Sequence, residues 1–110
     1  MNDSTPLGTF EEQVMLAVLR TGEEAYGMNV RRELESVTGR DVAIGAVYAT
    51  LDRLEAKGLV ASSRSVAGSA SRRLFAVTAL GARALDESRT MRERLWEGVD
   101  LRPLLALPGV

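Results

Sequence analysis

Residues 41–60, DVAIGAVYATLDRLEAKGLV, decide how this chain is read. Ile44, Val47, Leu51 and Leu54 recur at spacings of three and four and make one narrow apolar seam, which predicts a helix over residues 44–57. Gly58 stops that helix, and the apolar pair Leu59-Val60 opens a new element. Away from the seam stand Gly45, Ala46 and Ala49, then Thr50, Arg53 and Lys57. A helix stripped to small side chains over its outward N-terminal half can approach another surface closely, as a helix entering a DNA major groove must.

Upstream, Thr9 and Glu12 have capping-box spacing and predict a helix starting at Thr9, with Phe10, Val14, Ala17 and Val18 on one face and Thr21-Gly22 at its end. A second helix is expected over residues 25–38, with Tyr26, Val30, Leu34 and Val37 on an inward stripe, Arg31, Arg32, Glu33 and Glu35 facing water, and Gly39 just past its end. Residues 39–43 then join it to the helix at 44–57. Downstream, residues 59–64 and 72–78 read as two strands around SVAGSAS, a small polar hairpin tip containing Gly68. Thr78 is a good N-cap for a fourth helix reaching about Trp96. Leu80, Ala84, Ser88, Met91 and Leu95 share one of its faces, Leu85 and Trp96 lie beside it, and Arg89 can pair with Glu93. The remaining DLRPLLALPGV is apolar and interrupted by Pro103 and Pro108, and reads as a short helix or an arm laid on a partner.

The 110 residues carry a net charge of −1, but the charge is unevenly spread. Residues 1–39 hold seven acids and three bases, residues 40–83 seven bases and three acids, and residues 84–110 five acids and four bases. No acid occurs between Ala56 and Leu85. Local sign, rather than the total, decides where a polyanion docks. The chain has no histidine and no cysteine, so histidine bases, thiolate metal sites and disulfides are excluded. The acidic pairs Glu11-Glu12 and Glu23-Glu24 read as helix-start and loop charges, and no phosphate-cradling glycine motif is present. No catalytic residue, metal or cofactor is expected. Nor does any run of about 18 apolar residues suggest a membrane span, or the N-terminus an export signal, so a cytoplasmic protein is expected.

Three helices, a two-stranded hairpin and a further helix are, in order, a winged helix-turn-helix with an appended helix: mainly α with a small β-hairpin. Within that order LGTFEEQVMLAVLR, the Tyr26-Gly27 start, Ile44-Gly45-Ala46-Val47-Tyr48, Leu51-Asp52-Arg53-Leu54-Glu55, Lys57-Gly58-Leu59-Val60 and Thr78-x-x-Gly81 occur in sequence over residues 7–85. This combination resembles the PadR-type transcriptional regulators. The resemblance implies a dimeric, cytoplasmic, repressor-like DNA-binding protein whose C-terminal helix pairs subunits, and in which a small aromatic effector is a candidate ligand. Two features depart from the family's pattern. The hairpin tip lacks the usual longer Gly- and charge-rich loop, with Leu74 at the first position of the usual aromatic pair. Ala43 stands where a capping serine is common.

The chain is therefore expected to divide into a DNA-binding winged helix, residues 1–78, and a dimerisation helix with an apolar tail, residues 79–110. Gly45, Ala46, Ala49 and Thr50 are the candidates to face base edges, and Arg53, Lys57, Arg64, Arg72 and Arg73 the candidates to contact phosphates. Tyr48, at the seam's edge, fits either a ring packed in the domain with its hydroxyl on a phosphate or a purely core role. Leu80, Ala84, Met91, Leu95 and Trp96 form the expected dimer face, which would also line any ligand cavity between subunits. A rival reading keeps the fold but makes it a protein-interaction module; replacing Arg72 and Arg73 with Glu is expected to separate the two.

Overall fold

The computed structural model describes residues 6–67 and 70–109. Its elements run α1 (Thr9–Thr21), a single 3-10 turn (Gly22–Glu24), α2 (Gly27–Thr38), α3 (Ile44–Ala56), β1 (Val60–Ala67), β2 (Ala70–Val77), α4 (Ala79–Trp96) and a short α5 (Arg102–Leu105). The hairpin is antiparallel, with Val60 opposite Val77 and Ala67 opposite Ala70. Its strands run further than composition suggests, because residues 65–67 and 70–71 join the ladder rather than loop. The expected tip residue Gly68 lies outside the described residues.

The core forms where α1, α2 and α3 cross over the root of the hairpin. Val14, Met15, Val30, Val47, Leu51 and Leu54 are fully buried, and Val60 and Phe75 close the core from the strands. Complete burial of side chains this size contributes about 1.5–3 kcal/mol each. The seam of α3 is thus the inward face, as its spacing implies. That buried face is wider than the seam: Thr50, three residues after Val47 and four before Leu54, is only 2% exposed.

The helix ends follow local chemistry. At α1 only one half of a capping box forms, one residue before the expected Thr9–Glu12 pair: Gly8 is the N-cap, with no side chain to offer, and its amide donates to Glu11 Oε1 at 2.9 Å. At the end of α3, Gly58 takes φ +78°, its amide donates to Glu55 O, and the Leu59 amide reaches Leu54 O at 3.0 Å. This Schellman arrangement turns the chain directly into β1. At α4 the Thr78 hydroxyl accepts from the Gly81 amide at 3.0 Å and donates to Gly58 O at 2.7 Å, so one side chain caps the helix and ties it to the α3–β1 corner.

Three expectations for surface positions are corrected. Val37 is 58% exposed, because the inward stripe of α2 is complete with Val30 and Leu34 and Val37 lies over the gap between α1 and α2. Arg89 pairs with Asp86 at 3.6 Å, its N-terminal neighbour on the helix face, rather than with Glu93. Ala84 is half-buried against the domain's own core, not presented outward with Leu80, Met91 and Leu95.

Candidate nucleic-acid interface

The turn before α3 is held by two side chains of α2. Arg31 Nε donates to Val42 O at 2.9 Å, and Glu35 Oε2 accepts from the Val42 amide at 2.9 Å. Both residues read as solvated from periodicity alone. Together they satisfy both backbone polar groups of the residue before the N-cap Ala43, which itself makes no side-chain cap. The start of α3 is therefore fixed without the serine usual at that position.

From this anchored start α3 presents Gly45, Ala46 and Ala49 to solvent. A Cβ placed on Gly45 would meet nothing within 4 Å, so no packing contact of the chain itself requires glycine there. Thr50 is absent from this face: its side chain is buried and accepts from Arg53 Nη2 at 3.3 Å. Over the first two turns of α3 the face that can approach another molecule is thus narrower and less polar than expected, with Tyr48 at its edge and the exposed side chains of Asp52 and Arg53 one turn further on. Tyr48 is 37% exposed, and its ring lies against the backbone of α2 where Gly27 begins the helix. A Cβ on Gly27 would sit 2.3 Å from Tyr48 Cζ, so any larger residue after Tyr26 requires the Tyr48 ring to move.

The basic residues fall into two groups. Arg64 and Arg72, on facing strands, line a cleft of about 560 Å³ with Arg32, Arg73, Tyr26 and Tyr48. No acid lines this cleft among the described residues. The Arg72 guanidinium lies over the Tyr26 ring at 4.4 Å, a cation–π contact that orders the side chain without neutralising it. Arg64 donates to Ser71 Oγ at 3.4 Å. Tyr26 and Arg32 were missed as site residues because helical periodicity assigned one to the core and the other to water. What joins them to the cleft is the hairpin crossing the start of α2: the Phe75 amide donates to Ala25 O, and Leu74 bridges to Tyr26.

Arg53, Lys57 and Arg73 are committed elsewhere. Lys57 Nζ is 2.8 Å and Arg53 Nε 3.6 Å from Glu11 Oε2, which ties the far end of α3 to α1. Arg73 bridges Asp52 at 2.8 Å and Glu55 at 2.5 Å, donates to Ser62 Oγ and covers the Phe75 ring, locking the hairpin to α3. Arg73 is thus a scaffold residue as well as part of the cleft wall. Reversing its charge would set a third carboxylate against Asp52 and Glu55, so a test of nucleic-acid contact belongs on Arg64 and Arg72.

The ties to Glu11 and Glu55 are pH-dependent. The hydrogen bond from Lys57, then that from the Gly8 amide, hold the Glu11 carboxyl below its ordinary value of 4.5, against the opposing effect of burial. Hydrogen bonds from Ser62 and Arg73 lower Glu55 in the same way. A depressed carboxylate contributes stability that is complete above its unfolded value and lost as pH falls through its folded one. Glu11→Gln is accordingly expected to destabilise the protein at pH 7, with the gap to the parent narrowing below pH 4.5 in urea titrations; a gap that stays constant down to pH 3 would contradict the assignment.

Outward on α4, Leu80, Met91, Leu95 and Trp96 are 49–70% exposed. No helix among the described residues is long and apolar enough to cross a membrane, and no group of side chains that could hold a metal ion occurs among them.

Against this geometry, comparison with known proteins is consistent. A family model described as the transcriptional regulator PadR-like family matches residues 15–87. The transcriptional regulator Rv3488 of Mycobacterium tuberculosis is 40% identical over 72 residues, 66% of this chain and 66% of that protein, so the match spans just under two thirds of the relative. Among solved structures, a PadR-like transcriptional regulator from Bacillus cereus superposes with a TM-score of 0.71 at 20% identity over 92% of this chain and 95% of that one. RosR of H. salinarum superposes with a TM-score of 0.70 at 27% identity over 92% and 87%.

Proposed function

Since the chain belongs to the PadR-like family of transcriptional regulators, we propose that it binds double-stranded operator DNA as a homodimer and represses transcription by occupying the promoter. Residues 1–78 bind DNA in this reading, and residues 79–110 pair the subunits through the exposed face of α4. The observation that carries the proposal is the acid-free cleft of Arg32, Arg64 and Arg72 opening beside the bare face of α3. A sugar-phosphate backbone fits the cleft, and the Gly45-Ala46-Ala49 face then lies in the adjoining major groove. With so few polar side chains on that face, sequence is read by apolar contact, close backbone approach and groove shape, while the arginines set affinity and register. A twofold dimer doubles both elements and fits a pseudo-palindrome with half-sites about one helical turn apart.

Titration of the protein on its own upstream DNA across a salt series tests this. Arg64→Ala with Arg72→Ala is expected to reduce the log–log salt slope by about 3.6, near 0.9 for each of two phosphate contacts in each of the two half-sites. Lys57→Ala is expected to change the slope little, since Glu11 already neutralises it. A slope unmoved by the Arg64 and Arg72 changes, with protein partners retained, would instead favour the interaction-module reading. A flat aromatic effector fits this scheme between the paired α4 helices, where Trp96, the chain's one tryptophan, would report it by quenching of fluorescence.

A further inference from the structure

The outward stripe of α3 does not end with its small side chains. Gly45, Ala49 and Asp52 follow one another at i, i+4 and i+7, so they lie on one face of the helix, and all three are exposed. Seven residues of helix advance about 10 Å, the rise of about three base pairs. Asp52 therefore stands on the surface that the proposed function lays in the major groove, about three base pairs along from Gly45. It is an acid on a face otherwise stripped to small side chains, and the buried seam of α3 makes no use of it.

Asp52 and Glu55 share a partner but not an environment. Arg73, from β2, reaches Asp52 Oδ1 at 2.8 Å and Glu55 Oε1 at 2.5 Å. Glu55 is then spent, because its other oxygen accepts from the Ser62 amide at 3.2 Å and from the Ser62 hydroxyl at 2.7 Å. Asp52 has no partner besides Arg73 among the described residues, and its side chain is 59% exposed against 34% for Glu55. Arg73 is itself held by the Ser62 hydroxyl, to which its Nε donates, and by the Phe75 ring it covers, so it fixes Asp52 from the hairpin side. The result is a carboxylate tethered on one side with acceptor capacity left over on the other.

That capacity is selective. An ionised carboxylate only accepts hydrogen bonds. In the major groove cytosine offers its N4 amino group alone, adenine sets the acceptor N7 beside its N6 amino group, and guanine and thymine present carbonyl oxygens. A carboxylate brought to guanine or thymine sets lone pairs against lone pairs, whereas at cytosine it meets a donor. Its charge is offset at close range by Arg73 and further out by Arg64 and Arg72 across the cleft, so it does not bar the approach of DNA.

We infer that Asp52 is a base-reading residue: held by Arg73, it accepts from the N4 amino group of one cytosine in each half-site and selects a C·G pair there. The inference rests on the DNA-binding reading and adds one directional contact to a face otherwise read by shape.

Selection of bound duplexes from a randomised pool, followed by competition titrations of the selected site and its single-base variants, tests it. The parent is expected to enrich cytosine at one position of each half-site, and replacing that base pair is expected to cost about tenfold or more in affinity. Asp52→Asn keeps the shape and can still accept from Arg73, but it gains an amide donor. The same position is then expected to change from cytosine to adenine, which a side-chain amide engages through N6 and N7. Asp52→Ala is expected to lose all preference there while the rest of the site keeps its profile. Asp52→Asn carries the test by itself if urea titration shows Asp52→Ala to be unfolded. Both variants enriching the parent's site unchanged would overturn the inference. So would a uniform rise in affinity for every duplex with a steeper salt slope and the same profile, which would make Asp52 only a counter-ion that keeps Arg73 from phosphates. A parent that enriches no sequence from the pool overturns the DNA-binding reading itself.

Discussion

Gly81→Ala is expected to destabilise this protein by about 3 kcal/mol or more, a large part of the stability a small domain has. A Cβ on Gly81 would lie 2.1 Å from Leu59 O, 2.9 Å from Val77 Cγ1 and 3.0 Å from Leu59 C. Two of these three atoms are backbone, so no rotamer change relieves the overlap. Leu59 O also cannot withdraw easily, since it accepts from the Thr78 amide at 3.1 Å while Gly58 O accepts from the Thr78 hydroxyl. The first turn of α4 is thus clamped against the α3–β1 corner by two hydrogen bonds, and only glycine fits at the point of closest approach. Urea titration should show the midpoint falling sharply with little change in slope, and the thermal midpoint dropping by more than about 10 °C. A variant within 1 kcal/mol of the parent would mean that α4 meets the corner less closely than the structure has it.

The same corner shows what the sequence could and could not convey. Thr78-x-x-Gly81 was readable as a helix start, because a capping hydroxyl and the amide that donates to it are neighbours in sequence. That Gly81 also abuts Leu59 is a contact across 22 residues, and local pattern carries no trace of it. The seam of α3 and the Gly39 and Gly58 stops are likewise local, and each is found where the spacing placed it. The misplacements share one cause. Glu11 and Glu12 both have capping spacing to a preceding residue, and only Lys57, 46 positions away, and Arg92, 80 positions away, distribute their roles. The phosphate candidates were identified by charge alone, and charge cannot tell Arg72, stacked on a tyrosine, from Arg73, held between two carboxylates. Arg31 and Glu35 were invisible for the converse reason: their partner is a backbone atom in a turn.

The second large effect is expected at Gly45, where stability and binding should separate. Nothing in the chain lies within 4 Å of a Cβ there, so Gly45→Leu has no steric cost in the protein alone. Glycine is disfavoured in helices by up to about 1 kcal/mol, so the variant should be as stable as the parent or slightly more so. Selection for the folded chain alone therefore gives no reason for glycine at this position. The reason supplied by the proposed function is contact: with Ala46 and Ala49 as its neighbours, Gly45 lies on the face whose distance from the groove floor sets every base contact α3 can make. A leucine there holds the helix out of the groove, while the cleft arginines still meet phosphates. Specific affinity should fall by at least about 100-fold toward the non-specific level, with the non-specific affinity and its salt slope nearly unchanged. Gly45→Ala, adding one methyl, should fall between the two. Competition titrations of both variants against operator and random duplexes, beside urea titrations of the same preparations, make the comparison. If Gly45→Leu bound its operator as tightly as the parent, α3 would not be the element that enters the groove, and the arginine cleft would have to be served by a different docking geometry. If both affinities fell together, the substitution would have disturbed the cleft through Tyr48, three residues on, and the two elements would prove to be one coupled surface.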